Sequence, residues 1–163
     1  MSIFQKITEA QRAAKAAKPV DVAALAAMLD IPVKLKFLPE DVSGSLERTD
    51  DGGYLITVNA MHPETRQRFT IAHELGHYIH HRALIGDGVN DSRAYRTTRN
   101  ASLFNPNIGP RHETEANQFA ASLLMPSEAV AALRASGMSV DEMARRLKVS
   151  RHAMSIRLGV PYT

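Results

Sequence analysis

Cysteine is absent from the 163 residues, which excludes disulfides and thiolate metal sites; any metal the chain holds must be bound by His, Asp or Glu. No stretch approaches the roughly eighteen consecutive apolar residues that a membrane-crossing helix needs. The N-terminus, Met1-Ser-Ile-Phe-Gln-Lys6, has no apolar signal core, so neither export nor membrane insertion is expected. A large excess of one charge is also lacking: 20 Lys and Arg against 17 Asp and Glu leave a formal charge of +3, which permits a nucleic-acid partner without arguing for one. With 44% hydrophobic and 23% charged residues, the composition is that of a soluble globular protein whose length allows one core and is short for two. The expectation is one domain over 1–163: N-terminal helices and a sheet over 1–62, two helices with a connecting loop over 63–126, and C-terminal helices over 127–163.

Histidine, in contrast, is concentrated. The run Phe69-Thr-Ile-Ala-His73-Glu74-Leu-Gly-His77-Tyr-Ile-His80-His81 contains His-Glu-x-x-His on a stretch that reads as helix. At about 100° per residue, His73 and His77 lie roughly 40° apart, one turn above the other, and can bind one zinc ion. Glu74 points roughly 100° away from His73, badly placed as a third ligand and well placed to take a proton from a water at the metal. Ile71, Ala72, Leu75 and Ile79 form the opposite, core-facing side. His81 lies one turn beyond His77, where it could be an outer partner of a ligand, an alternative ligand, a substrate contact, or a residue that serves only the helix dipole.

A second segment offers a third ligand. In Arg111-His-Glu113-Thr-Glu115-Ala-Asn117-Gln-Phe-Ala-Ala-Ser-Leu-Leu-Met-Pro126, a helical wheel places Glu113, Ala116, Asn117, Ala120 and Leu124 on one face. Glu113 could complete a His-His-Glu site with an open fourth position, and Asn117, a turn later, could hydrogen-bond the outer nitrogen of a ligand histidine. Glu115 points roughly 200° from Glu113 and is expected in solvent.

These two blocks, Thr65-Arg-Gln-Arg-Phe-Thr-Ile-Ala-His-Glu-Leu-Gly-His77 and Glu115-Ala-Asn-Gln-Phe-Ala-Ala-Ser-Leu-Leu-Met-Pro126, resemble the ImmA/IrrE family of metallopeptidases, and the similarity runs from about Val20 to the C-terminus. Glu113-x-x-Ala-Asn117 also resembles the Glu-x-x-Ala-Asp pattern of thermolysin-like zincins, departing from it in Asn for Asp. The resemblance favours Glu113 over Glu115 as ligand. It implies a cytoplasmic zinc peptidase that inactivates a DNA-binding repressor of a mobile element or stress response.

The remaining elements read as follows. Residues 2–17 and Val22–Leu29 have helical spacing, with Asp21 as a cap. Val33–Phe37, Val42–Glu47 and Tyr54–Asn59 read as three short antiparallel strands, the last two joined by a turn at Arg48–Gly53. Ser43-Gly44-Ser45 reads either as a substrate-binding edge or as a bulge. Pro63 opens the His-Glu-x-x-His helix and His80-His81 close it. Residues 83–110 are turn-rich and read as a loop at the rim of the site. Arg93, Arg96 and Arg99 make it basic, and Tyr95 is a candidate oxyanion donor.

Helices are expected over 127–134, 140–148 and 151–158. The last two resemble a helix-turn-helix, with Arg145, Arg146, Lys148, Arg151 and Arg157 as phosphate candidates, or else form a hairpin packed through Leu147, Val149, Met154 and Leu158; the family resemblance implies the packed hairpin, so no direct nucleic-acid partner is expected. The expected fold is thus α+β: a small three-stranded antiparallel sheet, a mainly helical zincin-like domain and a C-terminal helical hairpin. The expected function is an endopeptidase with one zinc per chain, manganese being the alternative ion, Glu74 as base, and a repressor-type protein as substrate. A helix-turn-helix regulator and a non-catalytic metal-bound interaction module are the competing readings. A structural zinc would call for a fourth protein ligand, and only three are evident.

Overall fold

In the computed structural model, which describes residues 1–16, 19–86, 88–92 (backbone only) and 107–161, the apolar spacing at each end of the chain closes over a small sheet. Helix α1 (Ile3–Ala16) buries Ile7, Ala10 and Ala14. Asp21 then starts α2 (Val22–Met28) by accepting the Ala24 N–H at 2.9 Å, which satisfies one of the exposed donors of a first turn. Strands β1 (Val33–Lys36), β2 (Val42–Arg48) and β3 (Tyr54–Asn59) follow, and the β2–β3 turn passes through Gly52 at φ +83°.

Helix α3 (Glu64–Ile85) leads to β4 (Gly88–Ser92), and the chain ends in α4 (Pro110–Leu124), α5 (Ser127–Ala135), α6 (Val140–Leu147) and α7 (Arg151–Leu158). One cluster of buried apolar residues runs from Ile7 through Leu46, Ile56, Leu75 and Leu124 to Met154. None of the helices described is long and apolar enough to cross a membrane.

The α+β fold is as expected, but the sheet differs in three respects. It has four strands in the order β1-β3-β2-β4, and β1 pairs parallel to β3. The parallel pair arises because β3, returning antiparallel to β2, inserts between β2 and β1 and so runs in the direction of β1. Residues 88–92, read from sequence as loop, form the fourth strand: Gly-Val-Asn-Asp-Ser has little strand preference of its own, and its pairing is supplied by β2. Finally, β2 is paired on both sides, so Ser43-Gly44-Ser45 cannot be a substrate-binding edge. The register shift between Val42 and Gly44 is a bulge, and the glycine serves close approach: a Cβ there would stand 2.4 Å from Thr57 O and 2.7 Å from Thr70 Cγ2 of α3.

The ends of α3 and one buried side chain set its place. Pro63 sits at its cap rather than its first turn, and the helical angles break at His81, where the sequence placed the end, before a last turn to Ile85. The buried guanidinium of Arg68 donates to the carbonyls of Leu147, Lys148 and Val20, joining α3 to the end of α6 and the start of α2. Burial pushes the Arg68 pKa down, against the charges of Glu64 and Asp21, which raise it.

Candidate metal centre

Gly76, between Glu74 and His77, decides how near the second helix comes. A Cβ on it would lie 3.0 Å from Phe119 Cδ1 and 3.2 Å from Ala116 Cα, so α4 packs over α3 at a distance a larger residue would open. The helices run antiparallel, His73 meeting Asn117 and His81 meeting His112. This crossing buries the side of α3 that carries the histidines, and His73, Glu74 and His77 are at most 1% exposed.

His73 Nε2 lies 3.2 Å from one Glu113 carboxylate oxygen, and His77 Nε2 lies 3.1 Å from the other. One ligand atom from each of the three residues falls within 4.8 Å of the others. Two ligands held tetrahedrally at about 2.0–2.1 Å from a metal stand about 3.3 Å apart, so the histidine–carboxylate separations fit a single small cation between them. Burial pushes the Glu113 carboxyl up, but in the absence of a cation His73 and His77 can each turn a protonated Nε2 toward it, and these outweigh burial and hold the group well below the usual carboxylate range.

The outer nitrogens decide the tautomers. His73 Nδ1 lies 2.8 Å from Asn117 Oδ1, a carbonyl oxygen that only accepts, so the proton belongs on Nδ1 and the lone pair on Nε2 faces Glu113. A neutral imidazole lone pair and a carboxylate then converge on one point, a donor set that a divalent cation completes.

His81 stands behind His77, its Nδ1 3.0 Å from His77 Nδ1, on the side away from Glu113. That position removes it as an oxyanion or substrate contact, since the ring it touches lies between it and the point where the ligands converge. Burial lowers the His81 pKa, the neighbouring His77 lowers it further, and Glu115 acts in the opposite direction. Glu115 is not simply in solvent: its carboxylate contacts His81 Nε2 at 3.5 Å and Arg111 Nε at 3.3 Å. Ser43 accepts a hydrogen bond from Arg66 at 3.1 Å and Ser45 is buried in the sheet. Tyr95 and the arginines at 93, 96 and 99 lie outside the described residues.

Asn117 also lines a cavity of about 880 Å³ between α3, α4 and α7, whose other walls include Phe69, Leu124, Val149 and Ile156. The sequence pattern brought together His73, His77, Glu113 and Asn117, which the fold places side by side, but not this cavity, which no single helix face announces.

The family model described as the IrrE N-terminal-like domain, Peptidase M78, matches residues 29–159. Among solved structures, a Mycobacterium tuberculosis transcriptional regulator has a similar fold, with a TM-score of 0.60 and 20% identity over 97% of this chain and 47% of that chain. The chain therefore spans about half the length of that regulator. No curated protein matches.

Proposed function

The chain belongs to the Peptidase M78 (IrrE N-terminal-like) family, and from that premise we propose that it is a zinc-dependent endopeptidase that cleaves a repressor-type regulatory protein in the cytoplasm. The observation that carries this reading is the convergence of His73, His77 and both oxygens of Glu113 on one buried point. Three protein ligands leave a fourth position for water or substrate, the arrangement of catalytic rather than structural zinc. A bound zinc ion would acidify a water and polarise the scissile carbonyl; manganese would supply the same chemistry with the same residues.

The chain's own part is to place and move a proton. Asn117 holds His73 in the ligating tautomer. Glu74 takes the proton of the attacking water as the water oxygen bonds to the carbonyl carbon, and passes it to the amide nitrogen as the C–N bond breaks. With β2 enclosed in the sheet, an extended substrate would instead run along β4, an outer strand of the sheet among the described residues. The apolar cavity beside Asn117 would take one of its side chains. The regulation served would be that of a mobile element or a stress response.

The test is incubation of the full chain with the repressor encoded beside it, with and without chelator. Cleavage should stop on chelation and return with zinc. In Glu74→Gln, which keeps the shape and removes the base, it should slow by on the order of 10²–10⁴-fold while zinc stays bound. A Glu74→Gln protein that cuts the cognate repressor at the wild-type rate would sink the mechanism.

A further inference from the structure

Histidines that bind metal through Nε2 are held by what Nδ1 touches, and the two ligand histidines differ in this respect. His73 has an amide, Asn117. His77 has another imidazole: its Nδ1 lies 3.0 Å from Nδ1 of His81, whose Nε2 in turn lies 3.5 Å from Glu115 Oε2. The other Glu115 oxygen is steadied by Arg111 Nε at 3.3 Å, one helical turn before it. His81 is 4% exposed, with the His112 ring edge-on at 4.9 Å, so the ring itself is held by packing, while Glu115 at the outer end is part-exposed. Within α3, the departure from helical angles falls at His81 itself (φ −122°, ψ 18°). A histidine serving only the helix dipole would turn to the terminal carbonyls. Here each ring nitrogen meets a side chain.

The order of donors along this chain follows from its outer end. A carboxylate accepts and does not donate, so His81 must present Nε2–H to Glu115. A neutral His81 then has its lone pair on Nδ1, and it can meet His77 only by accepting the His77 Nδ1–H. That places the His77 lone pair on Nε2, toward Glu113. We propose that Glu115 and His81 are positioning residues that set the tautomer and ring orientation of the ligand His77, so that the two ligand histidines are tuned by different outer partners, an amide for His73 and an imidazole–carboxylate pair for His77. This inference rests on the metal reading above and extends it to two residues outside the ligand set.

The test compares the full-length wild type with His81→Phe, His81→Gln and Glu115→Ala, reading zinc affinity by competition with a chromophoric chelator rather than activity. His81→Phe fills the space without an acceptor and should bind zinc about 10–100-fold more weakly, the usual cost of losing such a partner. His81→Gln offers an amide oxygen to His77 Nδ1–H, as Asn117 does to His73, and should recover most of the affinity. Glu115→Ala should weaken binding several-fold without changing the stoichiometry.

Imidazole ¹⁵N–¹H spectra of the zinc-loaded wild type provide a readout that does not depend on any variant folding. They should show the His77 proton on Nδ1 and the His81 proton on Nε2. A His81→Phe protein that folds and binds zinc as tightly as wild type, or a His81 proton found on Nδ1, would overturn the proposal and leave the metal reading intact. A wild type that binds no zinc would overturn both.

Discussion

On the proposed metal reading, the two nitrogens of His73 and of His77 do different jobs, and a single-residue change separates them. Replacing His73, His77 or Glu113 by alanine removes a ligand atom and should empty the site. Glu115→Ala touches only an outer partner and should still hold about one zinc per chain at saturating metal. Metal analysis of the four purified variants decides this, and a Glu115→Ala protein that is empty beside a loaded Glu113→Ala would reverse the assignment. Helical periodicity made the clustering of His73, His77, Glu113 and Asn117 legible, because a wheel fixes which way a residue points around its own axis. It could not say how far along α3 each residue of α4 would come to lie. Glu115, roughly 200° from Glu113 on the wheel, therefore read as solvated, while the antiparallel crossing brings it beside His81.

At the level of elements, three of the four strands were found where their alternating residues put them; β4, read as loop, and the pairing were not. Period-two patterning identifies a strand but carries no information about its neighbours, so the parallel β1–β3 pair and the enclosure of β2 became visible only with the sheet assembled. Gly44 shows what that assembly demands of one position. A methyl group added there would meet the backbone of β3 and the side chain of Thr70, so β2 and α3 would have to separate. Gly44→Ala should destabilise the fold by about 1–3 kcal/mol, the usual range for overpacking. For a chain of this size that lowers the melting temperature by several degrees. Gly52→Ala, in the β2–β3 turn with open space around it, would add backbone strain alone and should cost less. Thermal melts of the two variants side by side test the ranking, and equal losses would show that the close approach of α3 to β2 is not what the glycine at 44 is for.

For the molecule as a whole, the question is whether the C-terminal helices read DNA or complete the fold. Capping residues and apolar spacing alone do not separate a helix-turn-helix from a packed hairpin, and it was the family resemblance that favoured the packed hairpin over a nucleic-acid reader. Both caps are present: Ser139 and Glu142 form a capping box on α6, and Ser150 caps α7. The surroundings favour packing. Met143, Leu147, Val149 and Met154 are buried in the common core, and Arg68 holds the end of α6 through two carbonyls. Three of the basic residues that would meet phosphates are engaged within the chain. Arg151 pairs with Asp141 at 3.1 Å, Lys148 with Glu64 at 3.3 Å, and Arg157 donates to Met125 O at 3.3 Å and Ser127 Oγ at 3.1 Å. On α7, His152, Ala153 and Ile156 line the cavity shared with α3 and α4. Random duplex DNA should therefore bind weakly even at low salt, with a shallow dependence of log K on log salt concentration, because few cations are available to displace counterions. Charge reversal at Arg157 should lower stability, through its lost bonds to the α4–α5 junction, more than it lowers DNA affinity. Tight, sequence-selective binding by the full chain, with a steep salt slope and lost on reversal of Arg151 and Arg157, would instead make the regulator reading the better one.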